Sequence, residues 1–160
     1  MSSYDPIKLR AELTRDEARR TSPYLDCCGQ SWRLCTCTSK GHLTIGVGWN
    51  LDANPLPEWV VDLLLDLSIG KAERGLDAIE PQWRDLNDER QRVLMNMCFN
   101  LGAAGLASLT SFWAHIRDYF SNGHEASLDK AADRMLAFKW AAQVGPRAQR
   151  LAALMRPNRG

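Results

Sequence analysis

The chain has 160 residues, 45% of them hydrophobic and 24% charged, a globular composition that excludes a disordered tail or a fibrous repeat. A chain of this length can bury roughly two-thirds of its unfolded surface, so a core is within reach without metals or bridges. The net charge of +1 hides an asymmetry: 14 bases face 19 acids up to Asp133, whereas residues 134–160 carry six Lys or Arg and no acid.

The N-terminal MSSYDPIKLR has no apolar h-region, so no secretory signal is expected. Asp5 as N-cap and Pro6 at the first helical position predict a helix to about Arg20, with Ile7, Leu9 and Leu13 available for burial. Ser22-Pro23 is expected to end it. Leu43-Thr-Ile-Gly-Val-Gly-Trp49 alternates, uses β-branched residues and carries two glycines, which predicts a strand with a bend inside a small antiparallel sheet.

From Pro57 the pattern is helical. Residues 58–79 predict one long helix through Trp59, Leu63, Leu67 and Leu76, weakened by Gly70 and Gly75. The stretch from 59 to 69 is broken by Asp62 and Asp66 and is too short to span a bilayer, so no transmembrane segment is expected. Further helices are expected over 88–101, with Val93, Leu94, Met97, Cys98 and Leu101 on one face, and over 111–121, with Phe112, Trp113, Ile116, Tyr119 and Phe120. Two more follow, over 125–139, with Leu128, Ala132, Met135 and Leu136, and from Pro146 to before Pro157. The fold class is therefore α+β and mostly helical, in one domain. A sheet lobe of about 22–56 and a connecting helix of about 57–79 precede a helical lobe of about 80–160 that includes the N-terminal helix. A cleft is expected where the lobes meet. No seam suggests an oligomer, so a monomer is expected.

The chemistry starts from carboxyl groups. Metal-free hydrolysis of a glycosidic bond needs two of them across the bond, one to protonate the leaving oxygen and one to assist the water or attack. Glu17, at the end of the first helix, and Asp26, nine residues later, form such a pair. An acid near a helix end is more often a solvated surface group, so spacing alone carries little. Six Trp residues suit a sugar-handling protein, although core roles are the commoner use of tryptophan.

The surroundings of the pair add specificity. Arg15-Asp-Glu17, Pro23-Tyr-Leu-Asp26 and Thr44-Ile-Gly-Val-Gly48, followed by Asn50, together resemble the active-site stretch of the phage-type lysozymes and endolysins, typified by the T-even phage enzymes. Asn96-Met-Cys-Phe-Asn-Leu-Gly102, Lys139-Trp140, Gln143 and Arg147 extend the resemblance over almost the whole chain. It implies a lysozyme-like fold and a cofactor-free, inverting muramidase acting on bacterial peptidoglycan. Glu17 would be the general acid and Asp26 the carboxylate assisting the water, with Thr44 helping to position that water. Phe99, and more weakly Asn50, would line the sugar cleft, and Arg147 matches an arginine near the catalytic Glu. Phe99 fits a core role equally. Gly46 and Gly48 serve the strand bend, because no strand–loop–helix unit around them makes a dinucleotide site.

Departures are visible too. Ala18 stands where relatives commonly have Gly. Trp49 and Ser68 replace a structural His–Asp pair. Seventeen residues separate Asp26 from Thr44 where relatives need about half a dozen, and they include Cys27, Cys28, Cys35 and Cys37. This spacing, with His42 nearby, does not match paired C-x2-C zinc sites, so no metal is assigned. Reduced thiols, disulfides formed after exit to an oxidising compartment, and a metal all stay open. Cys98, on an apolar helix face, is expected in the core. A cysteine nucleophile is set aside, since no thiol sits in a nucleophile motif.

The resemblance implies a phage endolysin held in the host cytoplasm until a membrane pore releases it to the wall, where it lyses the cell. A toxin or effector muramidase would share the chemistry, and a catalytically silent wall-binding module would share only the partner. The basic, amphipathic segment Arg147–Arg156 suggests docking on an anionic envelope surface, with a merely solvated face as the bland counterpart. Nucleic acid is not expected as a partner, for want of any groove-reading motif.

Overall fold

A computed structural model describes residues 5–157 except 18, 32 and 38–40. In chain order it contains α1 (Pro6–Glu17), β1 (Arg20–Leu25), β2 (Leu43–Gly46), β3 (Trp49–Asn50) and α2 (Glu58–Ile79). A 3-10 turn (Pro81–Asp85) leads to α3 (Asp88–Ala107), α4 (Thr110–Asn122), α5 (Glu125–Ala137), α6 (Lys139–Val144) and α7 (Pro146–Met155). The fold is mostly helical with a small three-stranded antiparallel sheet, as the sequence pattern requires. The chain divides into two compact units, residues 1–61 and 62–160, and the division falls inside α2. Among the described residues no single helix is long and apolar enough to cross a membrane.

In the first unit Asp5 caps α1 as expected, its Oδ1 accepting from Ile7 N at 2.9 Å and Lys8 N at 3.2 Å. The helix stops at Glu17, three residues short of the expectation, because Arg20–Leu25 is taken into the sheet. Ser22-Pro23 therefore lies within β1 and does not terminate the helix. The expected burial of Ile7, Leu9 and Leu13 is not found: no residue of α1 is buried. Strand β1 pairs with β2 through Arg20↔Gly46, Tyr24↔Thr44 and Leu25↔Leu43, with a bulge between Arg20 and Tyr24. Pro23, which has no N–H to give a ladder, sits in that bulge. The expected bend after β2 is a tight turn at Val47-Gly48, from which β3 returns through Thr44↔Asn50 and Ile45↔Trp49.

The second unit holds the buried apolar core. Trp113, Phe112, Leu94, Met97, Leu106 and Met155 are each nearly or wholly inaccessible. Phe112 and Trp113 meet edge to face, ring centroids 5.3 Å apart, and Trp113 Nε1 donates to Leu106 O at 2.9 Å, so the indole is buried with its polar atom satisfied. Cys98 is in the core as expected, its thiol 3.4 Å from Ala72 O. Helix α7 buries Ala148, Leu151, Ala152 and Met155 and packs on α3 and α5. Its C-terminal carbonyls are met by the buried Arg90, which donates to Met155 O at 3.1 Å and Arg156 O at 3.0 Å, a cation placed at the negative helix end.

Two helix limits are corrected here. The helix expected over 125–139 breaks at Phe138, which is extended (ψ 151°), so α5 and α6 are separate. The helix expected over 88–101 resumes after a kink at Gly102 (φ 71°) and runs to Ala107. Along α2 only Ala72 and Leu76 are buried, whereas Trp59, Leu63 and Leu67 are exposed. Gly75 does not weaken α2 in the sense expected. A Cβ there would lie 2.8 Å from Ala103 Cβ and 3.3 Å from the Cys98 sulfur, so its missing side chain lets two helices approach closely.

That approach can be tested. In an open helix Gly→Ala adds about 1 kcal/mol of stability. At Gly75 the overlap with Ala103 reverses the sign, so Gly75→Ala lowers the thermal midpoint. A raised midpoint would contradict the packing described.

Candidate functional site

The first unit carries the acid pair. Glu17 is exposed at the last residue of α1. Its Oε2 lies 3.5 Å from the point where a Gly48 Cβ would stand, so the carboxylate rests over the β2–β3 turn. Gly48 has φ +71°, which an L side chain rarely adopts, and its bare backbone leaves the space in front of Glu17 open. Asp26 is exposed just past the end of β1. Its backbone N donates to His42 O at 3.2 Å, and its Oδ1 accepts from His42 N at 2.7 Å. One carboxylate thus stands beside the turn that ends β2 and the other beside the residue that precedes β2. His42 and Gly48, which mark these two places, are six residues apart along the chain. The two carboxylates are placed near opposite ends of β2, and among the described residues no hydrogen bond links them.

Thr44 lies between them on β2, 4% exposed, and donates its hydroxyl proton to His42 O at 3.1 Å. Its oxygen can still accept, but the side chain belongs more to the sheet than to open solvent. Asn50, across from Thr44, uses its amide oxygen to accept from Asp52 N at 2.9 Å and Ala53 N at 3.1 Å. This is a turn-forming role for its oxygen. Trp49 donates from Nε1 to Asn54 O at 3.1 Å and so fastens the same loop, while Ser68 bonds its own helix at Leu64 O, 2.7 Å away. Ala18 lies outside the described residues.

Phe99 and Arg147 belong to the second unit. Phe99 is 49% exposed, which settles against a core role. Both line a groove of about 580 Å³ together with Asn96, Met95 and Leu151. Arg147 Nε donates to Asn96 Oδ1 at 2.8 Å, and one turn further along α3 Asn100 Oδ1 accepts from Trp140 Nε1 at 2.7 Å. Asn96 and Asn100 thus tie α3 to α7 and α6.

The basic C-terminal helix is less free than expected. Arg156 pairs with Asp129 at 3.2 Å and Asp133 at 2.5 Å, and the apolar face of α7 is in the core. Of the larger apolar residues of α7, Leu154 remains exposed.

The features that sequence reasoning missed are the residues that hold Asp26. Asp52 Oδ2 accepts from Leu43 N at 2.9 Å and lies 3.6 Å from His42 Nδ1. Gly41 packs so tightly that a Cβ there would come 2.6 Å from Cys27 N and closer still to Asp26 Oδ1. The insert, to which no metal ligands were assigned, places the sulfur atoms of Cys27, Cys28, Cys35 and Cys37 within 4.8 Å of one another. The N–H of Cys37 and the neighbouring thiol of Cys28 hold the Cys35 thiol down to about 7, while its three neighbours push Cys37 up to about 12.

Comparison with protein-family models found no match, and comparison with curated proteins found none either.

The Gly41 contact gives a direct check. Gly41→Ala displaces the Asp26 carboxylate from His42 N, so exchange of the His42 amide proton accelerates by about tenfold or more. Unchanged protection would mean that the contact does not hold Asp26 in place.

Proposed function

We propose that the chain is a muramidase with a lysozyme-like fold, hydrolysing the β-1,4 bond between N-acetylmuramic acid and N-acetylglucosamine in bacterial peptidoglycan. The observation that carries this reading is the placement of two exposed carboxylates near the two ends of one strand, Glu17 over the bare backbone of Gly48 and Asp26 held by the N–H of His42. The resemblance of the Glu17, Asp26 and Thr44–Gly48 stretch to the phage-type enzymes supports the same assignment.

In this mechanism Glu17 donates a proton to the glycosidic oxygen as the bond to the anomeric carbon breaks. Asp26 accepts a proton from a water that attacks the opposite face of the sugar. With Oδ1 of Asp26 engaged by His42 N–H, Oδ2 is the oxygen that meets the water. An inverting reaction needs room for that water between the two carboxyl groups, and the resemblance to the phage-type enzymes implies inversion. Thr44 sets the height of the water through its oxygen. Phe99, in the second unit, has an exposed ring of the kind on which sugar rings stack, and its part in this reading rests on the resemblance alone. The biological role that follows is host-cell lysis by a phage endolysin, acting as a monomer on the wall without a cofactor.

Glu17→Gln removes the transferable proton while keeping size and hydrogen bonding, and Asp26→Asn removes the base. Each is expected to reduce clearing of a peptidoglycan suspension by about a hundredfold or more, with circular dichroism unchanged. A folded Glu17→Gln chain of near-normal activity would end the assignment. A small effect of Asp26→Asn would move the base to another residue.

A further inference from the structure

We propose that the insert between β1 and β2 is a structural metal site, in which Cys27, Cys28, Cys35 and Cys37 bind one zinc ion as a tetrathiolate. Four ligands of one soft type converge, all within 4.8 Å of one another. The Sγ–Sγ distances are 3.8 Å for Cys27–Cys28, 3.6 Å for Cys27–Cys35 and 3.4 Å for Cys28–Cys35. A tetrahedral ion with metal–sulfur bonds of about 2.3 Å has sulfur–sulfur edges of about 3.8 Å, so the thiols already outline the polyhedron. An iron–sulfur cluster, with several atoms inside its ring of cysteines, needs sulfurs further apart than this. Among ions that favour four thiolates in a tetrahedron, zinc takes the closed, redox-inert form suited to a structural role.

Two further observations point the same way. The backbone N–H of Cys37 points at the Cys35 sulfur, 3.5 Å away, a donor that stabilises a metal-bound thiolate. The first unit also lacks what normally holds a small fold together. Among its described residues no apolar side chain is buried, and Thr44 is its one buried residue. Small units short of apolar core are commonly held by disulfides or metal. Zinc here would tie the two residues that follow Asp26 to the far arm of the insert and so fix the turn from which Asp26 projects.

Binding displaces water from the hydrated ion and releases up to four thiol protons to solvent, leaving a centre of charge −2 with no change of oxidation state. The site does not depend on the muramidase reading, and its test does not use activity.

The full chain is purified under reductant without chelator, and metal is counted by mass spectrometry. One zinc per chain is expected. Cobalt in its place should show the intense visible bands of a tetrahedral site and sulfur-to-cobalt charge transfer in the near ultraviolet. Cys35→Ser and Cys37→Ser should each weaken zinc binding by more than about tenfold while helical circular dichroism persists. Cys98→Ser, whose thiol is buried in the second unit, should keep one zinc. A metal-free chain with four titratable insert thiols and no tetrahedral cobalt spectrum would overturn the proposal. So would disulfides within the insert of anaerobically purified protein, or full zinc content in the Cys35→Ser, Cys37→Ser double variant.

Discussion

The pairing of Asp26 with His42 is the interaction on which the proposed chemistry rests. It closes the β1–β2 ladder with a backbone bond of 3.2 Å and turns the side chain of Asp26 onto His42 N at 2.7 Å. A charged acceptor meeting a backbone N–H forms one of the stronger hydrogen bonds available to a carboxylate. It holds the group in one orientation while leaving a second oxygen for chemistry. The pairing needs the chain to pass within contact of Asp26 at residue 41, and only glycine allows that. The same crossing brings Cys27 beside the closing arm of the insert. Site geometry and thiol convergence therefore have one cause.

Helix limits marked by local chemistry were legible in the sequence. Asp5-Pro6 and Gly145-Pro146 mark starts, Gly123 marks a stop, and α2 runs over the expected residues. Limits set by distant partners were not legible. Arg20 continues a helical pattern and leaves it because Gly46 offers a strand partner. Phe138 lies within a run that keeps helical spacing, and nothing local signals its extended backbone. Burial failed for a related reason. Periodicity says which residues share a face, as in Ile7, Leu9 and Leu13, but not whether anything covers that face.

The candidate acids were legible as a pair, and their supports were not. Glu17, Asp26 and Thr44 stand out as candidates by residue type, whereas Gly41, His42 and Asp52 act through backbone contacts that spacing does not reveal. Asn50 shows the converse. Its type suits sugar binding, yet its amide oxygen is consumed by a turn. The cysteines failed a motif test because the common zinc spacing reflects two tight knuckles. Here adjacent Cys27 and Cys28 on one arm meet Cys35 and Cys37 on another, an arrangement the fold supplies and sequence spacing alone does not.

The most direct measurement of the central claim is the anomeric configuration of the newly formed reducing end, followed by proton NMR in the first moments of peptidoglycan hydrolysis. The proposed mechanism inverts, so the β-linked muramic acid residue should appear first as the α-anomer. First appearance of the β-anomer would mean a carboxylate attacks the sugar directly. Absence of any new reducing end would remove glycoside hydrolysis from the account.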